Sequence, residues 1–191
     1  MSQTSTPYGL IPTYHPSGIL RPKAFSGGIT SGLATALFKY SPVLMQTNGT
    51  LTIAGATGAF LGSFAGSEFT DANGRRQFSP GWIAGTVATD IIAYVWMWPD
   101  MIFRIQANGS LALTSRGDEA NFANVGTGNA TTLYSTAQIS TTLAGAGVTA
   151  QMQIIDKYNS QQLGGNEFGD PFTDVLVKIS QPQLARDYPA L

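Results

Sequence analysis

Any chemistry this chain performs must come from one histidine, eleven acidic residues and no cysteine at all. His15 sits between Tyr14 and Pro16. A serine-histidine-acid relay would have to use it, yet no Gly-x-Ser-x-Gly turn is present to hold up a nucleophile. Zinc takes several imidazole or thiolate ligands, and a single His cannot supply them. Gly126-Thr-Gly128 lacks the third glycine of a dinucleotide-binding turn, and no Gly-Lys-Ser/Thr follows a glycine loop. Two carboxylates could serve a glycosidase. Asp118-Glu119 falls in a polar stretch, and Glu167, Asp170 and Asp174 lie close in sequence without the calcium-binding loop of an EF-hand. These acids read as solvated turn residues. No catalytic residue, metal ligand or cofactor site is assigned.

The aromatic residues carry more information. Trp82, Trp96 and Trp98 could stack on sugars, fill a core or anchor a protein contact, where Trp and Tyr are enriched. Along residues 91–98, Ile91, Ala93, Val95 and Met97 alternate with Ile92, Tyr94, Trp96 and Trp98. Both faces of that strand are apolar, so it is covered on two sides or offers one side to a partner. Trp96 and Trp98 share a face, and an interface or a covered second sheet ranks above sugar binding for them.

Composition narrows the partners. Charged residues make up 11% of the chain, less than half the usual share. Aromatic content is 10%, so disorder does not follow. Thr, Ser, Asn, Gln and 22 glycines leave a neutral polar surface, suited to a protein packed against neighbours. The net charge is −1 and the ten cations are scattered, with Arg75-Arg76 the closest approach to a cluster. Nucleic acid is therefore disfavoured as a partner. Residues 91–98 are too few to span a bilayer as a helix, and no basic-then-apolar leader opens the sequence. The expectation is a soluble product made in a cytoplasm, with no membrane partner.

The elements that must position these residues read as short strands. Residues 1–32 carry Pro7, Pro12, Pro16 and Pro22 among apolar side chains without a period, which fits an extended arm lying on a partner or on its own domain. Strands follow at 33–40, 43–46, 50–53 and 59–70, with turns at Asn48-Gly49 and Asp71–Gly74 and a bulge or close backbone approach at Gly62 and Gly66. Residues 91–107 read as a hairpin turned at Pro99-Asp100. Residues 117–132 read as loop, 84–93 as able to hold a helical turn, and 133–141, 151–157 and 174–180 as strands. Many short strands without a helical layer indicate a barrel or sandwich.

Several phrases, in order, resemble the capsid decoration (cement) proteins of tailed bacteriophages. Tyr8-Gly-Leu10 through Arg21-Pro22 looks like that family's N-terminal arm, and Phe60-Leu-Gly-Ser-Phe-Ala-Gly-Ser-Glu-Phe-Thr-Asp71 like its central strand. Ile92-Ala-Tyr-Val95 to Pro99, then Phe103-Arg-Ile-Gln-Ala-Asn-Gly-Ser110, is similar to the hairpin that follows. Leu133-Tyr-Ser-Thr-Ala137 and Asp174-Val-Leu-Val-Lys-Ile179 look like its last strands. Trp96-Met-Trp98 departs from the acidic residues expected before Pro99. The resemblance implies a β-barrel or jelly-roll-like fold bound outside a shell of major capsid protein as a symmetric oligomer, without catalysis.

The expectation is thus an all-β chain, a β-barrel or jelly-roll-like sandwich over residues 33–180. An arm spans 1–32 and a tail 181–191. Tyr8, Leu10, Ile11 and Tyr14, then Trp96 and Trp98, are the expected contacts with the major capsid protein, on the outer surface of the virion. Removing the first 20 residues is expected to lower capsid occupancy and leave the domain folded. A homo-oligomer is expected, a trimer ahead of a dimer from how shells are built. The alternatives are a glycan-binding module of a head or tail fibre and, behind it, a virion-associated glycan hydrolase.

Overall fold

The computed structural model describes residues 4–145, 147–159 and 165–184. Its strands are β1 (Ile11–Tyr14), β2 (Lys23–Ser26), β3 (Pro42–Met45), β4 (Leu51–Ile53), β5 (Gly62–Thr70), β6 (Arg76–Ser79) and β7 (Thr89–Trp96). They continue with β8 (Ile102–Gln106), β9 (Glu119–Phe122), β10 (Gly128–Asn129), β11 (Tyr134–Ser135), β12 (Ile139–Leu143), β13 (Met152–Lys157) and β14 (Asp174–Ile179). Among the described residues the only helical element is one short 3-10 turn at Leu113–Ser115.

Two large antiparallel sheets pack as a sandwich. The first runs β1-β8-β14-β13-β9-β12, and the second runs β2-β7-β5-β3-β4, with β6 also paired to β5. Both sheets curl. In the first, Ala107, just past β8, bridges Ile139 of β12. In the second, the amide of Leu51 on β4 bonds the carbonyl of Gly28, just past β2, at 2.7 Å. Neither ladder closes among the described residues, so the sandwich and not the barrel is the outcome.

Period-two burial explains the strands. Val175, Val177 and Ile179 of β14 are buried, as are Phe103 and Ile105 of β8, Met152 and Ile154 of β13, and Ala120 and Phe122 of β9. These form one hydrophobic cluster with Leu10, Ala54 and Phe60. A second gathers Val43, Leu51, Phe64, Ile91, Ala93 and Val95 under Ile29, Leu37, Trp82 and Ala88 from the loops. The expected bulge lies at Gly66, where the β5–β7 register shifts. Its φ of 143° and a Cβ position only 2.8 Å from the Ser79 carbonyl oxygen leave room for glycine alone. At the β5–β6 turn, the Asp71 Oδ1 accepts the amides of Asn73 and Arg75, both at 2.9 Å. These bonds, that to Arg75 foremost, hold the Asp71 carboxyl below its ordinary range.

Five expectations change. Residues 91–107 are not a hairpin: β7 pairs with β2 and β5, whereas β8 pairs with β1 and β14. The doubly apolar β7 needs neighbours and cover on both sides, and the half-polar β8 belongs to a sheet with one wetter face. Residues 33–40 are a loop, joined to Trp82 and Tyr134 by single bridges at Leu37 and Lys39. The loop expected at 117–132 contains β9 and β10, and 133–141 splits into β11 and the start of β12. No helical turn forms in 84–93, where β7 begins at Thr89.

Of the expected arm, residues 4–32 fold back on their own domain and contribute β1 to one sheet and β2 to the other, while residues 1–3 lie outside the described residues. Pro12 is tolerated because β1 is an edge strand. The second sheet is built from residues 23–96, and the first from 102–179 plus β1. The N-terminal segment therefore crosses onto the half of the molecule built by the C-terminal residues. The opposite crossing is made at the other end. The amide of Phe60 bonds the Gln181 carbonyl at 3.2 Å, and the Gln183 side chain accepts the Met45 amide at 2.7 Å. Residues 185–191 of the expected tail lie outside the described residues.

Leu10 is completely buried, its amide bonded to the Tyr40 carbonyl and its own carbonyl to the Ser63 hydroxyl at 2.6 Å. Leu10→Ala is expected to lower unfolding free energy by ~2–5 kcal/mol in urea titrations. Removing residues 1–20 is expected to cost more, because a strand leaves with the side chain, and the truncated chain should not retain the parent's unfolding transition.

Candidate interaction surface

Two connections pass between the sheets at one end of the sandwich. Residues 15–22 join β1 to β2, and residues 97–101 join β7 to β8. Strand register brings them together: Tyr14 pairs with Ile102, and Lys23 pairs with Val95. The Trp98 indole N–H donates to the Arg21 carbonyl at 3.2 Å and ties one connection to the other. His15 belongs to the same segment, where its Nδ1 lies 2.7 Å from the Ser17 hydroxyl in a local turn.

This end is open, and beside the exposed Arg21 and Asp100 it presents four apolar side chains. Tyr14 is 53% exposed, Ile19 55%, Leu20 42% and Trp98 41%. Fixing the indole through its N–H lowers the entropy lost when its ring is covered, which favours an anchoring role. Of the six expected contact residues, Tyr14 and Trp98 meet here. Ile19 and Leu20 complete the patch. Their signal was present, as apolar side chains in a proline-bounded stretch that could not make a strand.

The other four lie elsewhere. Leu10 is core, and its expected contact with a partner is replaced by contact with its own domain. Ile11 is half-buried on β1 opposite Arg104. Trp96 does not share an exposed face with Trp98, because β7 ends at Trp96. Its ring stacks on Tyr40 at 5.6 Å and packs against the first hydrophobic cluster. Beyond it, Tyr40 lies 5.7 Å from the exposed Tyr134, with the Lys39 ammonium 5.3 and 5.7 Å from the two ring centres.

Tyr8 covers a polar centre on the outer side of the first sheet. The Arg104 guanidinium lies between the Tyr8 and Tyr158 rings, 4.5 and 4.4 Å from their centres. Cation–π attraction of this kind strengthens as water is excluded. Asp174 lies beside them, near enough to the Tyr8 hydroxyl to interact with it, but the Tyr8 hydroxyl, Arg104 Nε and Asp174 Oδ1 are all buried without a well-formed hydrogen bond. Burial, then the Asp174 charge, pushes the Tyr8 hydroxyl far above the ordinary tyrosine range. Burial also raises the Asp174 carboxyl, against the opposing pull of Tyr8 and Arg104. Sequence gave no sign of this centre beyond Arg104 falling on the polar side of its strand.

The acids grouped in sequence do not converge. Glu167 pairs with Lys157, while Asp170 accepts the Glu167 amide in a turn at 2.9 Å. Glu68 accepts the Tyr94 hydroxyl at 2.8 Å and pairs with Arg76 at 2.7 Å. Those two bonds, Tyr94 first, hold its carboxyl below the ordinary range. Among the described residues no three His, Asp or Glu side chains gather as metal ligands would.

Asp174 sets a pH test. Its raised value means the folded chain holds the proton more tightly than the unfolded chain. Its contribution to stability is full below the unfolded aspartate value of about 3.9 and is lost as pH rises through the folded value. Asp174→Asn should therefore gain on the parent as pH rises from acid towards neutral, read from urea midpoints across a pH series. The opposite trend would mean that Arg104 outweighs burial.

No protein-family model matches the chain, no curated protein matches its sequence, and no solved structure matches its fold.

Proposed function

We propose that the chain is a non-enzymatic structural subunit of a tailed-phage particle, seated on the outside of the head and bridging neighbouring major capsid protein subunits. The observation that carries the reading is the apolar end formed by Tyr14, Ile19, Leu20 and Trp98 on a charge-poor β sandwich. Single exposed apolar residues are ordinary, but three on two tied connections, with Tyr14 at the adjoining end of β1, form a patch of the kind that marks protein contacts. The ordered resemblance of its phrases to capsid decoration proteins supports the same reading.

The work proposed is mechanical. A packed genome presses outward on its shell, and a subunit spanning a capsomer boundary adds buried area that must be lost before the boundary opens. Modest affinity per copy is enough, because shell symmetry repeats the contact and oligomerisation multiplies it. A trimer on local three-fold positions ranks ahead of a dimer.

A glycan-binding role stands second, on the observation that exposed Tyr134 lies beside Tyr40 with the Lys39 ammonium close to both. Copy number separates the two readings. A cementing subunit is present in virions at numbers near those of the capsid protein, whereas a fibre module is present in a few copies.

Truncating the apolar end tests the primary reading. Tyr14→Ala and Trp98→Ala are each expected to weaken binding to particles lacking the protein by about ten- to thirty-fold, as interface anchors do. Stability should change by only ~0.5 kcal/mol for Tyr14→Ala, as for surface positions, and by about 1–2 kcal/mol for Trp98→Ala, which also loses the indole bond to Arg21. Cosedimentation and occupancy in electron-microscopy maps give the readout, and unchanged occupancy in the double variant sinks the assignment.

A further inference from the structure

We propose that Asn108-Gly109 is a self-modification site, where Asn108 converts slowly to aspartate and isoaspartate through a cyclic imide. The Gly109 peptide nitrogen attacks Asn108 Cγ and gives up its proton. The new N–Cγ bond forms, the Cγ–Nδ2 bond breaks, and the side-chain nitrogen leaves as ammonia. Water then opens the ring at either carbonyl, giving aspartate or isoaspartate. Water is the only co-reactant. A following glycine favours the attack because it carries no Cβ to crowd it.

The chain holds three Asn-Gly pairs, at Asn48, Asn73 and Asn108, and their surroundings differ. The Gly49 amide donates to the Gln46 carbonyl at 2.9 Å, and the Gly74 amide donates to the Asp71 carbonyl at 3.0 Å. A hydrogen bond holds the proton that must leave and turns the nitrogen away from attack. The Gly109 amide makes no hydrogen bond among the described residues.

The electrophile differs too. Asn108 Oδ1 accepts the Thr141 amide at 3.0 Å, which draws electron density from Cγ and leaves the departing amino group untied. Asn48 Oδ1 is similarly engaged by Thr50, at 3.0 Å from its amide, but its nucleophile is held. Asn73 has a held nucleophile and no bond on its side-chain carbonyl. Only Asn108 combines a polarised carbonyl with a free attacking nitrogen.

Its position gives the change a consequence. The Asn108 amide bonds the Ile139 carbonyl at 3.0 Å, the Gln138 side chain donates to the Ala107 carbonyl at 3.2 Å, and the Thr173 amide reaches the Gly109 carbonyl at 3.3 Å. These bonds fasten the place where the first sheet curls back on β12. Isoaspartate adds a backbone atom inside that set, so the bonds on its two sides cannot all be kept. Conversion loosens the joint in one direction only, as an age mark on the protein.

The test holds the folded protein in mildly alkaline buffer and measures isoaspartate at each pair by peptide mapping over time. Product at Asn108 should accumulate severalfold faster than at Asn48 or Asn73, and the three rates should converge in denaturant. Gly109→Ala should keep the fold, since φ there is unstrained and the half-buried Thr141 side chain, whose Cγ2 a Cβ would meet at 3.3 Å, need shift only slightly, and it should slow conversion severalfold. Equal or faster conversion at Asn48 or Asn73 in the folded protein overturns the proposal. So does a ranking that denaturant leaves unchanged.

Discussion

Burial of Leu10 is the constraint on which the arrangement of this chain depends. Residues 23–96 and 102–179 each build a curled sheet over a hydrophobic cluster, joined in the chain at 97–101 and in the core by Ala54 and Phe60, which enter the cluster of the later half. Leu10 carries the N-terminal segment into the cluster of the later half, while its backbone bonds Tyr40 and Ser63 of the earlier half. Glycine at position 9 permits the approach, since its φ is 81° and a Cβ would come within 2.6 Å of the Tyr40 carbonyl oxygen. Gln181 and Gln183 make the return crossing. Separating the halves therefore requires pulling a fully buried side chain into water as well as breaking the sheet contact.

The same crossing places the exposed surface. A chain that leaves one sheet at Tyr14 and enters the other at Lys23 must pass over the end of the sandwich, and so must the chain between Trp96 and Ile102. Pro16 and Pro99 each sit in a tight turn, closed by the Gly18 amide on the His15 carbonyl at 2.8 Å and the Met101 amide on the Trp98 carbonyl at 3.0 Å, and the apolar side chains of these passages have no strand face on which to hide. The open end is thus a by-product of stitching two sheets together, available for recruitment as a contact.

What could be read from sequence was local. The alternation of Val175, Val177 and Ile179, the Asn48-Gly49 and Asp71–Gly74 turns and the Gly66 bulge depend on neighbours a few residues away. Pairing across the chain was not legible. Phe103 and Ile105 alternate with Arg104 in the same way whether β8 returns along β7 or joins the other sheet, so the Pro99-Asp100 signal was consistent with both. Glu119–Phe122 is short and polar, and becomes a strand only because β12 and β13 lie on either side. The stacking of Tyr8 and Tyr158 on Arg104 joins residues from three distant parts of the chain. At the candidate surface, the types of Tyr14 and Trp98 were informative, whereas the withdrawal of Leu10 and Trp96 followed from tertiary packing.

Neutral amides do much of the internal fastening. Gln151 is fully buried and spans the Phe122 amide and the carbonyls of Gly55 and Gly58, at 3.1, 3.1 and 2.9 Å. Asn166 joins Tyr158 to Asp174 in the same manner. Dissolved ions weaken attraction between exposed charges over a distance of about 10 Å at 0.1 M, but they do not screen a buried hydrogen bond between uncharged groups. Bonds of this kind give the framework little dependence on the salt concentration around it.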